Sequence, residues 1–165
     1  MHPRPSSSPK AAFTLVEMLT VITIIMILAG LVVGISGYVQ KKGATSRAEA
    51  EIAALSTALE SYKADNGGYP VNTTLATGAK ILYEQLAGDA NNDGTPDPAL
   101  KTYFNFRPNM LSPTTGANRS VVDPYGTPYK YLSGNETTAN TNNIATFDLW
   151  TTTGSSNTAR WITNW

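Results

Sequence analysis

Hydrophobic and polar positions divide this chain into three stretches. Residues 18–40, MLTVITIIMILAGLVVGISGYVQ, carry no charged side chain. As a helix they would be about 34 Å long, at about 1.5 Å per residue. That is enough to cross a hydrocarbon core of about 30 Å. The segment is apolar on every side, so a buried helix in a soluble domain is a poor alternative. It is also too long for the apolar part of an ordinary secretory signal. The pattern therefore predicts a membrane helix. From residue 44 it turns amphipathic: Ala44, Ala48, Ile52, Leu55, Leu59 and Tyr62 recur every three or four positions on one helical face. Arg47, Glu49, Glu51, Glu60 and Lys63 fall largely elsewhere. No Pro interrupts residues 10–69, so one helix over 14–65 is expected. At about 52 residues it exceeds ordinary globular helices. Asn66-Gly67-Gly68-Tyr69-Pro70 would end it, with residues that tolerate left-handed backbone followed by Pro.

The remainder is polar and rich in Asn and Thr. A short helix is expected over 74–87, with Leu75, Ala79, Leu82 and Leu86 on one side. Residues 89–97 read as a loop and 103–118 as irregular chain. Asp123-Pro124-Tyr125-Gly126-Thr127-Pro128-Tyr129 marks a turn into a strand over 129–132. After a polar loop at 133–143, residues 144–151 alternate, with Ala145, Phe147 and Leu149 on one face, and a last strand is expected at 161–165. The fold class is thus α+β. One long N-terminal helix, membrane-spanning in its first half, packs its second half on a small antiparallel sheet. The chain divides into a leader (1–12), a transmembrane helical segment (13–42) and a globular domain (43–165).

Composition narrows the chemistry. The 12 basic side chains balance the 12 acidic ones, which gives no support to nucleic-acid binding. Cys is absent, which removes disulfides, thiolate metal sites and a Cys nucleophile. His2 is the single His, so neither a His triad nor a multi-His metal site can be built from one copy. The leader MHPRPSSSPKAA is short and Pro/Ser-rich, and carries Arg4 and Lys10 without an acid. By the positive-inside tendency it stays cytoplasmic, although Lys41 and Lys42 flank the other end of the apolar run. The Asp and Tyr residues of DPYGTPYKY are read as turn and core residues rather than as acid/base chemistry, and the three Trp as packing residues. Asn72, Asn118 and Asn135 begin N-x-S/T triplets, short patterns that arise by chance.

Glu17 opens the apolar run. An ionised carboxylate costs about 2.5–3.5 kcal/mol at the centre of a membrane helix and less near an end. Two readings stand: an interfacial Glu that complements the helix dipole, or a Glu kept for a cation from elsewhere. Lys10-Ala11-Ala12-Phe13-Thr14-Leu15-Val16-Glu17-Met18-Leu19, followed by the apolar run, resembles the N-terminal signal of type IV pilins and type II secretion pseudopilins. The phrase ALESYKADNGGYP, ending at Pro70, is similar to the end of the long helix in major pseudopilins. DPYGTPYKY, FDLW and the closing ITNW resemble their C-terminal region. Together these matches touch both ends of the chain.

The resemblance implies cleavage by a prepilin peptidase between Ala12 and Phe13, N-methylation of Phe13, and pairing of Glu17 with the N-terminal amine of a neighbouring subunit. It also implies partners: further copies of this chain, minor pseudopilins, an inner-membrane assembly platform and the lipid bilayer. The expected location is the bacterial inner membrane, crossed once, with the C-terminal domain in the periplasm. Two residues depart from the family pattern. Ala12 stands where Gly usually precedes the cut, and Gly34 where many members have Pro. Gly30 and Gly34 also form a G-x-x-x-G pair, which is either a close-packing face or simply the frequency of Gly in membrane helices.

Major pseudopilins bind Ca²⁺ in the loop between their last strands. Here that loop, 153–160, has no carboxylate and contains Arg160, so the family's site is expected to be absent or weakened. A second address is Asp89-Ala90-Asn91-Asn92-Asp93-Gly94-Thr95-Pro96-Asp97. Asp89, Asn91, Asp93, the Thr95 carbonyl and Asp97 occupy the ligand spacing of an EF-hand-type loop, with Gly94 at the turn position. Leu100 stands where a bidentate acid would close the site. A calcium site and a plain Asx-rich turn both remain open on spacing alone. The leading function is a structural subunit of a periplasmic secretion filament, with no catalytic residue nominated. The alternatives are a surface pilus subunit for adhesion, motility or DNA uptake, and a membrane-anchored binding domain or enzyme.

Overall fold

We describe a computed structural model; the residues described are 13–72, 74–134, 142–143 and 145–165. The leader with Ala12, the triplet start Asn135 and most of the polar loop at 133–143 lie outside them. The chain forms two compact units, Met1–Lys41 and Lys42–Trp165.

Helix α1 runs Leu15–Asn66, within one residue of the expected bounds at each end. Thr14 caps it: the Glu17 N–H donates to Thr14 Oγ1 at 3.2 Å and to the Thr14 carbonyl at 3.1 Å. Thr14 and Glu17 thus stand at the first and last places of a T-x-x-E capping spacing. In the first unit, residues 13–33 are all exposed. Two of its hydroxyls are absorbed by the helix itself. Thr20 donates to the Val16 carbonyl and Thr23 to the Leu19 carbonyl, each at 2.8 Å. This is how a hydroxyl is tolerated where no water is available.

In the second unit, α1 buries Ala48, Ile52, Leu55, Ala58 and Leu59. The helix ends where Gly67 takes φ +79° and donates its N–H to the Lys63 carbonyl. Helix α2 (Gly78–Ala87) starts later than expected, because residues 74–77 form a turn closed by Thr77 on the Thr74 carbonyl. It buries Leu82, Tyr83 and Leu86 and ends at left-handed Gly88. Residues 103–118, read as irregular, include a 3-10 turn (Pro108–Met110) and strand β1 (Leu111–Ser112). Strand β1 pairs antiparallel with β2 (Ser120–Val121). A second antiparallel sheet has the order β3 (Lys130–Ser133), β4 (Phe147–Thr151), β5 (Ile162–Thr163).

Leu55, Leu59, Leu82, Leu86, Tyr129, Tyr131, Phe147 and Leu149 meet in one core. The alternation expected along β4 is only half the picture, because all five of its residues are buried. Asp148, on the supposedly polar face, accepts the Asn143 N–H at 3.0 Å. The expected strand start at Ile144 lies outside the described residues.

Candidate assembly site and loop sites

Phe13 precedes the helix and is 72% exposed; Glu17, one helical turn in, is also exposed. No hydrogen bond or ion pair to the Glu17 carboxylate occurs among the described residues. It lies in the first turn of α1, where the helix dipole favours negative charge. Around it, Leu15, Val16, Leu19 and Ile22 present apolar surface, each at least half exposed. A free amine at Phe13 would sit at the positive end of its own helix, the unfavourable end for a cation. Thr14, which orients the first turn between Phe13 and Glu17, was not singled out from the sequence, although its spacing to Glu17 carried the signal.

In the second unit, the DPYGTPYKY stretch is a turn organised by one buried carboxylate. Asp123 Oδ1 accepts the N–H groups of Tyr125 at 2.9 Å and Thr127 at 2.7 Å, and Asp123 Oδ2 accepts the Thr151 hydroxyl of β4. Gly126 supplies the positive φ of +79° that the turn requires. Tyr129 and Tyr131 are fully buried, as the turn-and-core reading expects, whereas Tyr125 is 37% exposed. The Tyr129 hydroxyl donates to Glu51 Oε2 at 3.0 Å, and Arg47 Nε holds Glu51 Oε1 at 2.8 Å. Burial, then the Glu51 charge, pushes the Tyr129 hydroxyl well above its ordinary pKa. Of the triplet asparagines, Asn72 is buried: its amide donates to the Tyr131 carbonyl at 2.7 Å and accepts the Ser133 N–H at 3.1 Å. That asparagine serves packing.

The acid-rich loop is closely hydrogen-bonded within the chain. Asp89 is fully buried. Its carboxylate accepts the Asp93 N–H at 3.1 Å, the Gly94 N–H at 2.9 Å and the Tyr83 hydroxyl at 3.0 Å. Asp93 takes the Thr95 N–H at 2.8 Å and the Asn91 amide at 3.0 Å. Asp97 takes the Ala99 N–H at 2.8 Å. The structure thus brings Asp89, Asn91, Asp93 and Thr95 into one turn, with Asp97 engaged further along. No group of three or more acidic or His side chains suited to a metal occurs among the described residues.

Three residues central to this loop were not among the ligands read from spacing. Asn92 is buried with φ +52°. Its side chain accepts the Arg119 N–H at 2.7 Å and donates to the Arg119 carbonyl at 2.9 Å. Arg119 Nη1 in turn donates to the Tyr83 hydroxyl at 3.1 Å. Burial and the Asp89 carboxylate raise the Tyr83 pKa, and Arg119 opposes that rise.

The loop between the last strands offers only hydroxyl, amide and backbone oxygens. It is closed by Trp161 Nε1 on the Ser155 carbonyl at 3.0 Å and Thr153 Oγ1 on the Arg160 carbonyl at 3.1 Å. A hard divalent cation prefers carboxylate oxygens, so these residues do not fit a calcium ion.

Comparisons with known proteins agree with the features at both ends. Residues 7–33 match the prokaryotic N-terminal methylation motif, and residues 37–165 match the family described as type II secretion system (T2SS), protein G. The type II secretion system core protein G of Pseudomonas aeruginosa is 29% identical over 124 residues, covering 75% of this chain and 74% of that protein. Its namesake from Aeromonas hydrophila is 32% identical over 124 residues, covering 75% and 73%. The crystal structure of the major pseudopilin from the type 2 secretion system of enterohaemorrhagic Escherichia coli is 23% identical. The alignment covers 76% of this chain and 89% of that one, with a TM-score of 0.40. With an N-terminal methylation motif leading into an exposed apolar helix, and a family match over the rest of its length, the chain belongs to the type II secretion system protein G family.

Proposed function

We propose that this member of a structural pseudopilin family is made as a precursor, cut between Ala12 and Phe13, N-methylated at Phe13, and stacked into a periplasmic filament through its N-terminal helix. Cleavage removes Arg4 and Lys10 from the 12 basic side chains and none of the 12 acidic ones, and it creates one new amine. Glu17 of one copy receives the amine of the next. In a low-dielectric helix bundle an unpaired charge is costly, so the pair sets the axial register between copies. Prepilin peptidase, minor pseudopilins and an inner-membrane assembly platform are the partners this route requires. Before assembly, the apolar segment of α1 crosses the inner membrane with the head in the periplasm.

The observation that carries the reading is the exposed apolar first part of α1, with a carboxylate in its first turn and no partner for it among the described residues. Mass spectrometry of the protein from cells with active secretion should find N-methyl-Phe13 as the first residue. Retention of Met1 to Ala12 under those conditions would overturn the proposal.

A further inference from the structure

The 89–97 loop has the side-chain spacing of a cation site, and the fold places a cation beside it from a distant part of the chain. Arg119 approaches over the turn. An ideal Cβ added at Gly94, whose φ is +97°, would lie 2.6 Å from Arg119 Nη2 and 2.9 Å from the Gly116 carbonyl oxygen, so a side chain there would have to displace the guanidinium and crowd the backbone. The guanidinium stands 5.8 Å from the centre of the Tyr83 ring and donates Nη1 to the Tyr83 hydroxyl and Nε to the Gly116 carbonyl at 2.9 Å. The Tyr83 hydroxyl passes its own hydrogen to Asp89 at 3.0 Å. A relay therefore runs from guanidinium through phenol to the buried carboxylate. The backbone of Arg119 is held by the two bonds to Asn92, and the Asn118 N–H reaches the Asn92 carbonyl at 3.0 Å.

We propose that Arg119 is the resident cation of the 89–97 loop, occupying by a covalent side chain the role that a bound divalent ion would have at this spacing. Asp89 has three of its roughly four lone-pair sites already committed to protein donors, which leaves little for a metal. Charge compensation through a hydrogen-bonded relay is cheaper than an isolated buried carboxylate. The other candidate loop, 153–160, lacks carboxylates and is latched by Trp161. The head should accordingly fold without calcium.

The test is thermal melting of the full-length protein in detergent, in excess chelator and in about 5 mM CaCl2, well above the Kd range of weak extracellular calcium modules. For the wild type the two midpoints should agree within about 1 °C, because an ion that does not bind the native state shifts nothing. Arg119→Met keeps much of the side-chain bulk and removes the charge. In chelator it should melt lower by about 4 °C or more. Arg119→Lys keeps the charge and should melt between Arg119→Met and the wild type. Stability retained by Lys separates a charge role from packing alone. A calcium-dependent rise in the wild type would overturn the proposal. So would an Arg119→Met protein that melts like the wild type, or an Arg119→Lys protein that melts no higher than Arg119→Met. The wild-type measurement decides even if a variant fails to fold.

Discussion

Tyr129 donates its hydroxyl hydrogen to Glu51 Oε2 at 3.0 Å, joining positions 78 residues apart. The bond ties the turn after Asp123 to α1, and both partners are almost completely buried. Glu51 is also held by Arg47, whose side chain is 37% exposed. Tyr129→Phe leaves one oxygen of a buried carboxylate without its donor, which should cost about 1.5–3 kcal/mol. Urea unfolding of the detergent-solubilised protein at neutral pH measures it. Combining Tyr129→Phe with Glu51→Leu removes both groups, and Arg47 can still reach solvent. The double variant should therefore lose less than the two single losses added together. Strict additivity would show that the bond carries no coupling.

Gly78 opens α2 against the backbone of β3. A Cβ there would stand 2.6 Å from the Tyr131 carbonyl oxygen and 2.9 Å from its nitrogen. Helix propensity alone favours Gly78→Ala by about 1 kcal/mol. Overpacking against rigid backbone costs about 1–3 kcal/mol and more where nothing can move. The clash should win: the variant should be destabilised, and a denaturation midpoint above the wild type's would show that β3 yields readily.

How much of this was legible depends on whether the signal is local. The 52-residue α1 follows from an uninterrupted periodic stretch and a Gly-Gly-Tyr-Pro stop, and it was placed within one residue at each end. The Asp123 turn was legible because Pro and Gly mark it. By contrast, Asn92 and Arg119 lie 27 residues apart, each in a polar loop where neither periodicity nor turn chemistry singles it out. Ligand spacing at 89–97 pointed to the carboxylates but could not show that backbone N–H groups and Tyr83 engage them. Asp148 reads as a solvent-facing position on β4, yet it is buried, and its carboxylate is engaged by Asn142 and Asn143. Thr14 is readable from its spacing to Glu17, although the apolar run dominates that stretch.

Several tyrosines share an environment that disfavours ionisation. Burial, then Glu60, pushes the Tyr69 hydroxyl up to about 12, and burial foremost raises those of Tyr62, Tyr83, Tyr129 and Tyr131. Unfolded tyrosines titrate near 10. The stabilisation is therefore complete below pH 10. It is lost above pH 10, as the unfolded state releases its protons first. Stability should stay level with respect to tyrosine ionisation at neutral pH and fall steeply beyond pH 10, followed by phenolate absorbance and circular dichroism together. Tyr69→Phe should lessen that alkaline slope. An unchanged slope would mean that Tyr69 does not contribute.

If Glu17 receives a neighbour's amine, its loss should act on the filament rather than on the subunit. Glu17→Gln keeps size and hydrogen-bonding capacity and removes the charge. Its carboxylate has no partner among the described residues of its own chain, so membrane insertion and head stability should be unchanged. In the filament each incorporated variant leaves one amine unpaired in low dielectric, a loss of about 3–5 kcal/mol for a buried pair. At about 1.4 kcal/mol per tenfold, incorporation should fall by about 100-fold or more when the variant is the only copy. Co-expression sharpens the expectation. A variant subunit still offers its own amine to a neighbour but leaves one amine unpaired wherever it is inserted, so its share of the filament should fall well below its share of expression at every ratio. Cross-linking of sheared filaments at graded expression ratios reads this directly. Incorporation in simple proportion to expression would remove Glu17 from the assembly contact.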